Sequence, residues 1–341
     1  MKEKKSIKTS LVTGGAGFIG SHVADQLLKM GHRVMVLDDL SGGFAENVNS
    51  GCKFIKGSIL NKKLLESIFE HNRIDYVFHL AAYAAEGLSH FIRIFNYENN
   101  ILGSVHLINL AVKYNIKRFV FTSSIAVYGT NQIPMVETLE PQPEDPYGIA
   151  KYAVEMDLES AHKIFGLDYT IFRPHNVYGE RQNCGDPYRN VLGIFLNNIL
   201  DKKPVCIFGN GKQTRAFSYI GDIAPIIAKS VKVQKAKNEV FNIGSDKFCS
   251  ILELVKTMER VTGSPIEIEF LPPRKEVLHA RANHAKAKRI FGSPKNTDLE
   301  EGIKIMFAWA KRRGSMTPRI FGNIELEKNM PLSWKNITEH K

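Results

Sequence analysis

The sequence predicts an α/β fold in which a doubly wound parallel sheet is joined to a smaller, interwoven lobe. Three observations predict it: short apolar stretches alternate with helical stretches through the first half, a glycine-rich turn follows the first of them, and the alternation stops near Asn176. Strands that alternate with helices pair in parallel, because each helix returns the chain to the same edge of the sheet. We therefore expect a main domain at 1–176 and a smaller lobe at 177–341, with 239–262 returning to the main domain.

The first elements form a nucleotide-binding pattern. A strand at 10–13 runs into the turn Gly14-Gly15-Ala16-Gly17-Phe18-Ile19-Gly20, and a helix follows. Glycines let the backbone approach a pyrophosphate, whose charge then lies at the amino terminus of the helix. The second strand, at 33–37, ends in Asp38, and an acid there accepts hydrogen bonds from ribose hydroxyls and repels a 2′-phosphate. Strand, turn, helix, strand and acid in this order indicate a Rossmann-type site for NAD rather than NADP.

The remaining elements follow from the period of the apolar residues, which differs between strands and helices. Strands are predicted at 53–55, 76–80, 118–122, 169–172 and 239–243. Helices are predicted at 62–71, 101–114, 147–165, 191–200 and 251–262. Asp145 can cap the third of these helices, and Pro146 suits its first turn. The tail after Gly314 has little periodicity, but its apolar side chains predict that it packs against the rest of the chain.

A candidate catalytic group lies between the fifth strand and the next helix. Ser124 follows the strand, and Tyr147 and Lys151 are four residues apart on the helix, which places the phenol and the ammonium on one face. A cation beside a phenol favours the phenolate, so Tyr147 is the candidate base. No other tyrosine in the chain has a lysine four residues after it.

Composition excludes several classes. Hydrophobic residues make up 43% of the 341 and charged residues 24%, as in soluble globular enzymes. No apolar run reaches membrane-spanning length, and the first residues lack the apolar core of a signal peptide. The four cysteines are dispersed without a Cys-x-x-Cys pair, so we expect no metal site, no disulfide framework and a reducing cytoplasm. The net charge of +11 is spread along the chain, which argues against nucleic acid as a partner.

The chain resembles the extended short-chain dehydrogenase/reductase superfamily and, within it, the NAD-dependent sugar-nucleotide epimerases related to UDP-galactose 4-epimerase. The resemblance covers the first nine-tenths and rests, besides the glycine turn and Asp38, on three motifs: His79-Leu80-Ala81-Ala82, Asn99-Asn100-Ile101-Leu102-Gly103-Ser104 and Arg173-Pro174-His175-Asn176-Val177-Tyr178-Gly179. It implies catalysis by Ser124, Tyr147 and Lys151. Tyr147 and Lys151 also belong to the implied cofactor-binding set, whose other members are Gly14, Gly17, Phe18, Ile19, Gly20, Asp38, Ser58, Ile59, Leu80, Ala81, Ala82 and Asn100. Ser58 departs from the family pattern, which has an aspartate for the adenine there.

The resemblance also implies a substrate site. Asn176 and Arg215 are expected at the diphosphate of a UDP-sugar, together with a second arginine that aligns with Arg274. Ala280 aligns with a residue whose size decides whether an N-acetyl group fits, which favours UDP-N-acetylglucosamine and UDP-N-acetylgalactosamine; UDP-glucose and UDP-galactose stay open. Arg189 can instead meet the carboxylate of UDP-glucuronate, or be a surface or phosphate residue.

The reaction class depends on two positions after Ser124. Dehydrating relatives have Asp-Glu, and decarboxylating relatives a glutamate, where this chain has Ile125 and Ala126. Without these acids, oxidation at C4 followed by reduction remains, which predicts a UDP-sugar 4-epimerase. The alternatives are a UDP-glucuronate 4-epimerase, a nucleotide-sugar decarboxylase or oxidoreductase, and, more remotely, a non-catalytic nucleotide-sensing protein. The resemblance further implies a homodimer through the helices at 101–114 and 147–165.

Overall fold

The structure is a computed structural model that describes residues 7–130, 132–273, 278–292 and 295–339. A seven-stranded parallel sheet with the order β11-β6-β5-β4-β1-β2-β3 lies at its centre, which confirms the predicted fold class. The strands are β1 (Thr9–Thr13), β2 (Arg33–Asp38), β3 (Lys53–Lys56), β4 (Tyr76–His79), β5 (Arg118–Thr122), β6 (Tyr169–Pro174), β7 (Val177–Tyr178), β8 (Val205–Phe208), β9 (Thr214–Ala216), β10 (Ser218–Tyr219), β11 (Glu239–Ile243), β12 (Phe248–Ser250), β13 (Ile268–Leu271) and β14 (His279–Ala280).

The helices cover both faces of this sheet and build the smaller lobe. They are α1 (Phe18–Lys29), α2 (Lys62–His71), α3 (Glu86–Ser89), α4 (Arg93–Tyr97), α5 (Gly103–Lys113), α6 (Pro146–Phe165), α7 (Val191–Leu200), α8 (Ile220–Lys229), α9 (Ile251–Thr262), α10 (Ala285–Phe291), α11 (Leu299–Arg313) and α12 (Leu332–Glu339). A π-helical turn at Glu98–Leu102 joins α4 to α5. Within the described residues, no helix combines the length and the apolar character needed to cross a membrane.

Two apolar clusters form the core on either side of the sheet. Neighbouring strand residues point to opposite faces, so Leu11 packs with α2, α5 and α6, whereas Val12 packs with α1 and α8. Both side chains are fully buried. Because the strands are covered on both faces, nearly every residue of β1, β5 and β6 is buried, as expected for a parallel sheet.

The second half of the chain contributes to the sheet and to a separate core. β11 pairs with β6 at the edge of the main sheet. The smaller lobe contains the pair β8 and β13 and a sheet in which β9 lies between β12 and β14. Its own apolar cluster centres on Phe195, Leu254 and Met306. The cleft between this lobe and the carboxyl ends of the main strands is therefore walled by both halves of the sequence.

The tail after α11 packs, as predicted, against the rest of the chain. Trp334 and Met330 are buried together with Leu88 and Ile92. The partners lie in the segment that follows β4, so the tail crosses from the smaller lobe to the main domain. Leu326, also expected to pack, is half exposed.

Candidate active site

A cavity of about 1140 Å³ runs along the carboxyl ends of the main strands, between the sheet and the smaller lobe. In a doubly wound sheet, ligands bind at this end of the strands. Most of the predicted site residues line this cavity: Gly14, Gly17, Phe18, Ile19, Gly20, Asp38, Ser58, Ile59, Leu80, Ala81, Ala82, Ser124, Tyr147, Lys151, Asn176, Arg189, Arg215 and Ala280. Arg274 lies outside the described residues.

The backbone of the glycine turn packs so closely on itself that a side chain at Gly20 would not fit. A Cβ on Gly20 would lie 2.1 Å from the carbonyl oxygen of Gly14, and Gly14 itself has a φ of +69°. Asp38, at the end of β2, accepts hydrogen bonds from Ala16 N at 3.0 Å and Leu40 N at 2.8 Å. The turn, the amino terminus of α1 and this fixed carboxylate together suit the diphosphate and ribose of NAD.

Asn100, predicted as a cofactor ligand, lies outside the cavity lining. It is buried, its Oδ1 accepts a hydrogen bond from Tyr83 N at 2.9 Å, and its Nδ2 donates to Tyr83 O at 3.1 Å. Its polar groups are thus used in holding the backbone of Tyr83. Asn99 lines the cavity, and the role of Asn100 as a cofactor ligand stays a prediction.

The structure brings Ser124, Tyr147 and Lys151 together. Asp145 caps α6 by accepting a hydrogen bond from Gly148 N at 2.9 Å, which sets Tyr147 in the first turn. Lys151 is buried, and its Nζ donates to Thr122 O at 2.8 Å and lies 5.7 Å from the centre of the Tyr147 ring. The hydroxyl at the end of β5, the phenol and the ammonium therefore share one wall of the cavity.

The sequence predicts that Lys151 favours the phenolate of Tyr147, but burial disfavours the charged forms of both side chains. It raises the pKa of the Tyr147 phenol, although the Ser124 side chain and the charge of Arg189 lower it. Burial also lowers the pKa of Lys151 to about 7, with the nearby Glu155 opposing this shift. Protein groups alone thus favour a neutral phenol. The role of Lys151 in favouring the phenolate stays a prediction, and desolvation opposes the effect of its charge.

Ser124, Tyr147 and Lys151 form what we call the catalytic wall. A buried ion pair lies behind this wall, and it was not predicted from the sequence. Arg173 Nη2 lies 2.5 Å from Glu155 Oε2, and Ser123 Oγ donates to Glu155 Oε1 at 2.5 Å. Glu155 follows Lys151 by four residues on α6, so the helical spacing contained a signal for it. The pair ties the end of β5 to α6 and β6, and so fixes the strand end that carries Ser124.

A histidine pair adjoins the predicted substrate residue Asn176. His175 Nε2 lies 2.9 Å from His284 Nε2, and His284 Nδ1 lies 2.6 Å from Asp246 Oδ1. The sequence analysis assigned no role to these histidines, which are 109 positions apart. Among the described residues, no group of three histidine, cysteine or acidic side chains could hold a metal ion.

Arg189 is held by residues that the sequence did not indicate. Its Nη2 lies 2.6 Å from Asp186 Oδ2, and its guanidinium stacks 4.9 Å above the centre of the Tyr83 ring. Arg215 is placed differently, in β9, where its Nη1 donates to the carbonyls of Thr214 and Leu278. Two cations thus line separate parts of the same cavity.

Comparison with known proteins identifies a family. The profile of the NAD dependent epimerase/dehydratase family matches residues 10–244, more than half of the chain. A UDP-glucuronate 4-epimerase from Thermodesulfobacterium geofontis is 32% identical over 333 residues, which cover 94% of this chain and 98% of that protein.

Solved structures agree in shape and in sequence. The UDP-glucose 4-epimerase of Thermotoga maritima, solved with UDP-glucose, has a TM-score of 0.84 and 39% identity, covering 89% of this chain and 99% of that one. The UDP-N-acetylglucosamine 4-epimerase of Methanobrevibacter ruminantium, in complex with UDP-N-acetylmuramic acid, has a TM-score of 0.83 and 33% identity, covering 90% and 99%. Both chains are covered almost completely, so the similarity extends through the sheet and the smaller lobe.

Proposed function

The chain belongs to the NAD dependent epimerase/dehydratase family, and on that premise we propose that it is a UDP-sugar 4-epimerase. The reaction oxidises C4 of the sugar and then reduces it from the opposite face. NAD, when bound, supplies the hydride chemistry by accepting a hydride from C4 and returning it. The glycine turn and Asp38 are proposed to hold its diphosphate and ribose.

The chain's own residues move the proton. Tyr147 takes the proton of the C4 hydroxyl, and Ser124 hydrogen-bonds that oxygen. Lys151 stabilises the negative charge on the phenolate, and its pKa of about 7 lets it exchange a proton near neutral pH. Asn176 and Arg215 are proposed to hold the diphosphate, so that the oxidised sugar can turn over while it stays tethered.

The observation that carries the epimerase proposal is the turn after Ser124. Ile125 and Ala126 occupy this turn and line the cavity beside Tyr147. Elimination or decarboxylation needs a proton donor at these positions, and neither side chain has one. Reversible oxidation by NAD would need from this chain the hydroxyl of Ser124, the phenol of Tyr147 and the ammonium of Lys151, all of which line the cavity.

UDP-N-acetylglucosamine and UDP-N-acetylgalactosamine are the favoured substrate pair. Ala280 pairs with Arg215 between β14 and β9, is buried and lines the cavity. A methyl side chain beside the proposed diphosphate ligand leaves room for an N-acetyl group. The Methanobrevibacter ruminantium relative, a UDP-N-acetylglucosamine 4-epimerase, supports the same pair.

UDP-glucuronate is the second candidate, and Arg189 favours it. Arg189 lines the same cavity as Tyr147, and its charge lowers the pKa of the Tyr147 phenol. Asp186 already offsets part of this charge, which is why a carboxylate substrate ranks second. The Thermodesulfobacterium geofontis relative is a UDP-glucuronate 4-epimerase.

Nuclear magnetic resonance of the sugar protons tests the proposal. Purified protein is incubated with UDP-N-acetylglucosamine, UDP-glucose and UDP-glucuronate in separate tubes. Formation of UDP-N-acetylgalactosamine without net NADH supports both the reaction and the favoured pair. Conversion of another sugar alone corrects the substrate, whereas stoichiometric NADH or carbon dioxide indicates the oxidoreductase or decarboxylase alternative. Binding without any conversion indicates the nucleotide-sensing alternative.

We also propose a homodimer in a cytoplasmic setting. Ile149 and Met156 are exposed on one face of α6, and Leu102 is exposed in the neighbouring π-helical turn. Apolar side chains on adjoining helices suit the burial of that face against a second copy. The cytoplasmic setting rests on the dispersed cysteines alone.

A further inference from the structure

The carboxyl-terminal strap, defined as residues 319–334, is fastened to the segment that follows β4. Glu325 N and Leu326 N donate to Phe91 O at 2.8 and 3.2 Å. The Glu325 carboxylate accepts hydrogen bonds from Ile94 N at 2.8 Å and Phe95 N at 2.9 Å. Main-chain and charge-assisted bonds therefore fix the strap in one register on this segment.

Aromatic contacts join the strap to two tyrosines. The Phe321 ring lies 5.3 Å from the Tyr83 ring, and the Trp334 ring meets the Tyr188 ring edge-on at 5.4 Å. Trp334 is only 5% exposed, although it is near the end of the chain. A Cβ on Gly87 would lie 3.1 Å from the Trp334 ring, so the indole is closely packed against this wall.

These two tyrosines bracket Arg189. Tyr188 precedes it in sequence, and the Tyr83 ring lies under its guanidinium. On the other side, a Cβ on Gly42 would lie 3.2 Å from Arg189 Nη2, so the guanidinium also adjoins the loop after β2. Arg189 therefore stands between the loop after β2 and the wall that the strap supports, in the cavity that Tyr147 also lines.

The strap also lines the cavity directly. The strap residues in the lining are Leu326, Lys328, Asn329, Pro331 and Trp334. They adjoin Gly87 and Phe91, which line the same end of the cavity as Tyr83. Ser89, in the same segment, accepts a hydrogen bond from Tyr147 N at 3.2 Å, so this end of the cavity adjoins the proposed reaction centre.

We propose that the strap is a working part of the active site, which positions Arg189 through Tyr83 and Tyr188 and walls the end of the cavity that adjoins Tyr147. The inference rests on the proposed function for the reaction that it serves. Phe321 and Trp334 act as positioning residues, because they touch the tyrosines rather than the reacting atoms. A fixed cation near the phenol favours the phenolate that the reaction needs.

The test compares Trp334→Ala and Phe321→Ala with Trp309→Ala, which removes the other tryptophan of the chain from the core of the smaller lobe. We expect each strap variant to lower kcat/KM by about ten-fold, since an aromatic contact is worth about that factor. The rise of kcat/KM with pH should move to higher pH, because Arg189 no longer supports the phenolate. Bound NAD should stay at the wild-type amount, and Trp309→Ala should keep the wild-type pH profile.

A folded Trp334→Ala variant with the wild-type kcat/KM and pH profile would overturn the proposal, since the strap would then be packing only. Should the alanine variants fail to fold, Trp309→Phe leaves Trp334 as the single tryptophan, which is excited selectively at the red edge of the absorption band. Its emission should change when UDP-sugar binding, followed by calorimetry, saturates, and unchanged emission at saturation would also overturn the proposal. A wild-type protein that binds but converts no sugar, with responsive Trp334 emission, would reject the proposed function and support the strap.

Discussion

Tyr147 and Lys151 are buried in the same wall, and burial shifts their pKa values in opposite directions, away from each other. The pKa of the phenol rises and that of the ammonium falls to about 7, so each group loses charge when it leaves water. Ser124 and Arg189 act in the opposite direction on the phenol. Base strength at Tyr147 is therefore set by several neighbours together, and by Lys151 only as one of them.

The Tyr147→Phe substitution removes only the phenol hydroxyl and so tests its role. We expect turnover of UDP-sugar to fall by about three orders of magnitude or more, in the upper range for loss of a general base. The ring and its packing remain, so bound NAD and the affinity for UDP-sugar should stay within about two-fold of wild type. Turnover is followed by sugar-proton resonances, and NAD is quantified after denaturation. Tyr152→Phe on the same helix, away from the cavity lining, is the control, and full activity in Tyr147→Phe would reject the assignment.

Glu155→Gln tests the ion pair behind the catalytic wall. The substitution leaves Arg173 as an uncompensated buried charge, which costs about 3 kcal/mol or more of unfolding free energy. Urea unfolding at neutral pH measures the loss. Glu301→Gln is the matched control, because the Glu301 pair with Lys295 is exposed and such pairs contribute about 1 kcal/mol or less. Equal effects of the two substitutions would show that the buried pair does not fix the end of β5.

At the scale of elements, α6 has two tasks. Its inner face carries Tyr147, Lys151 and Glu155, all buried, whereas its outer face exposes Met156 at 55% and Ile149 at 40%. One helix thus builds the catalytic wall and offers an apolar surface. A dimer on that surface would stiffen the wall from behind.

Met156→Glu tests the proposed dimer face. A carboxylate in the centre of an apolar contact cannot keep its hydration without separating the helices, so we expect the variant to sediment as a monomer. Analytical ultracentrifugation at micromolar concentration measures this. Lys163→Glu, near the end of the same helix, controls for the added charge. A Met156→Glu protein that remains dimeric would place the interface elsewhere, and a monomeric wild type would reject the dimer.

The spacing of apolar residues and the capping residues predicted most helices and strands. The prediction failed where contacts between distant parts of the chain determine the structure. The helices α2, α7 and α9 have the predicted bounds, since their apolar spacing and caps are local signals. The helix α8 was not predicted: it contains Pro225, and its apolar residues pack beside α1 and against the main sheet. The helix at 101–114 begins instead with a π-helical turn, which no periodicity rule indicates.

The site residues likewise divide into those that a local motif predicts and those that only the fold brings together. Gly14, Asp38, Ser124, Tyr147 and Lys151 belong to short motifs whose chemistry is visible in neighbouring residues. The contact of Arg189 with Tyr83 and the pairing of His175 with His284 join positions about a hundred residues apart. A single sequence carries no local signal for such pairs, and only the fold brings them together.

At the scale of the whole molecule, two buried imidazoles link folding to pH. Burial lowers the pKa of His79 to about 3, and burial and the neighbouring His284 lower the pKa of His175 to about 3. His79 Nδ1 lies 2.7 Å from Thr13 Oγ1, and its Nε2 lies 2.8 Å from Ser104 Oγ. A neutral His79 can donate one of these hydrogen bonds and accept the other, and so joins β1 to α5.

The free energy of unfolding should therefore fall as the pH drops from about 6.5 toward about 3. Native imidazoles stay neutral in this window, whereas unfolded ones bind protons, which costs about 1.4 kcal/mol per pH unit for each histidine. Asp145 acts in the opposite direction below its raised pKa of about 6, so the comparison with His79→Gln isolates the part that His79 contributes. Urea unfolding at several pH values should show a shallower slope in His79→Gln than in wild type, with exposed His71→Gln as the control. Equal slopes in wild type and His79→Gln would show that His79 does not contribute to the pH dependence.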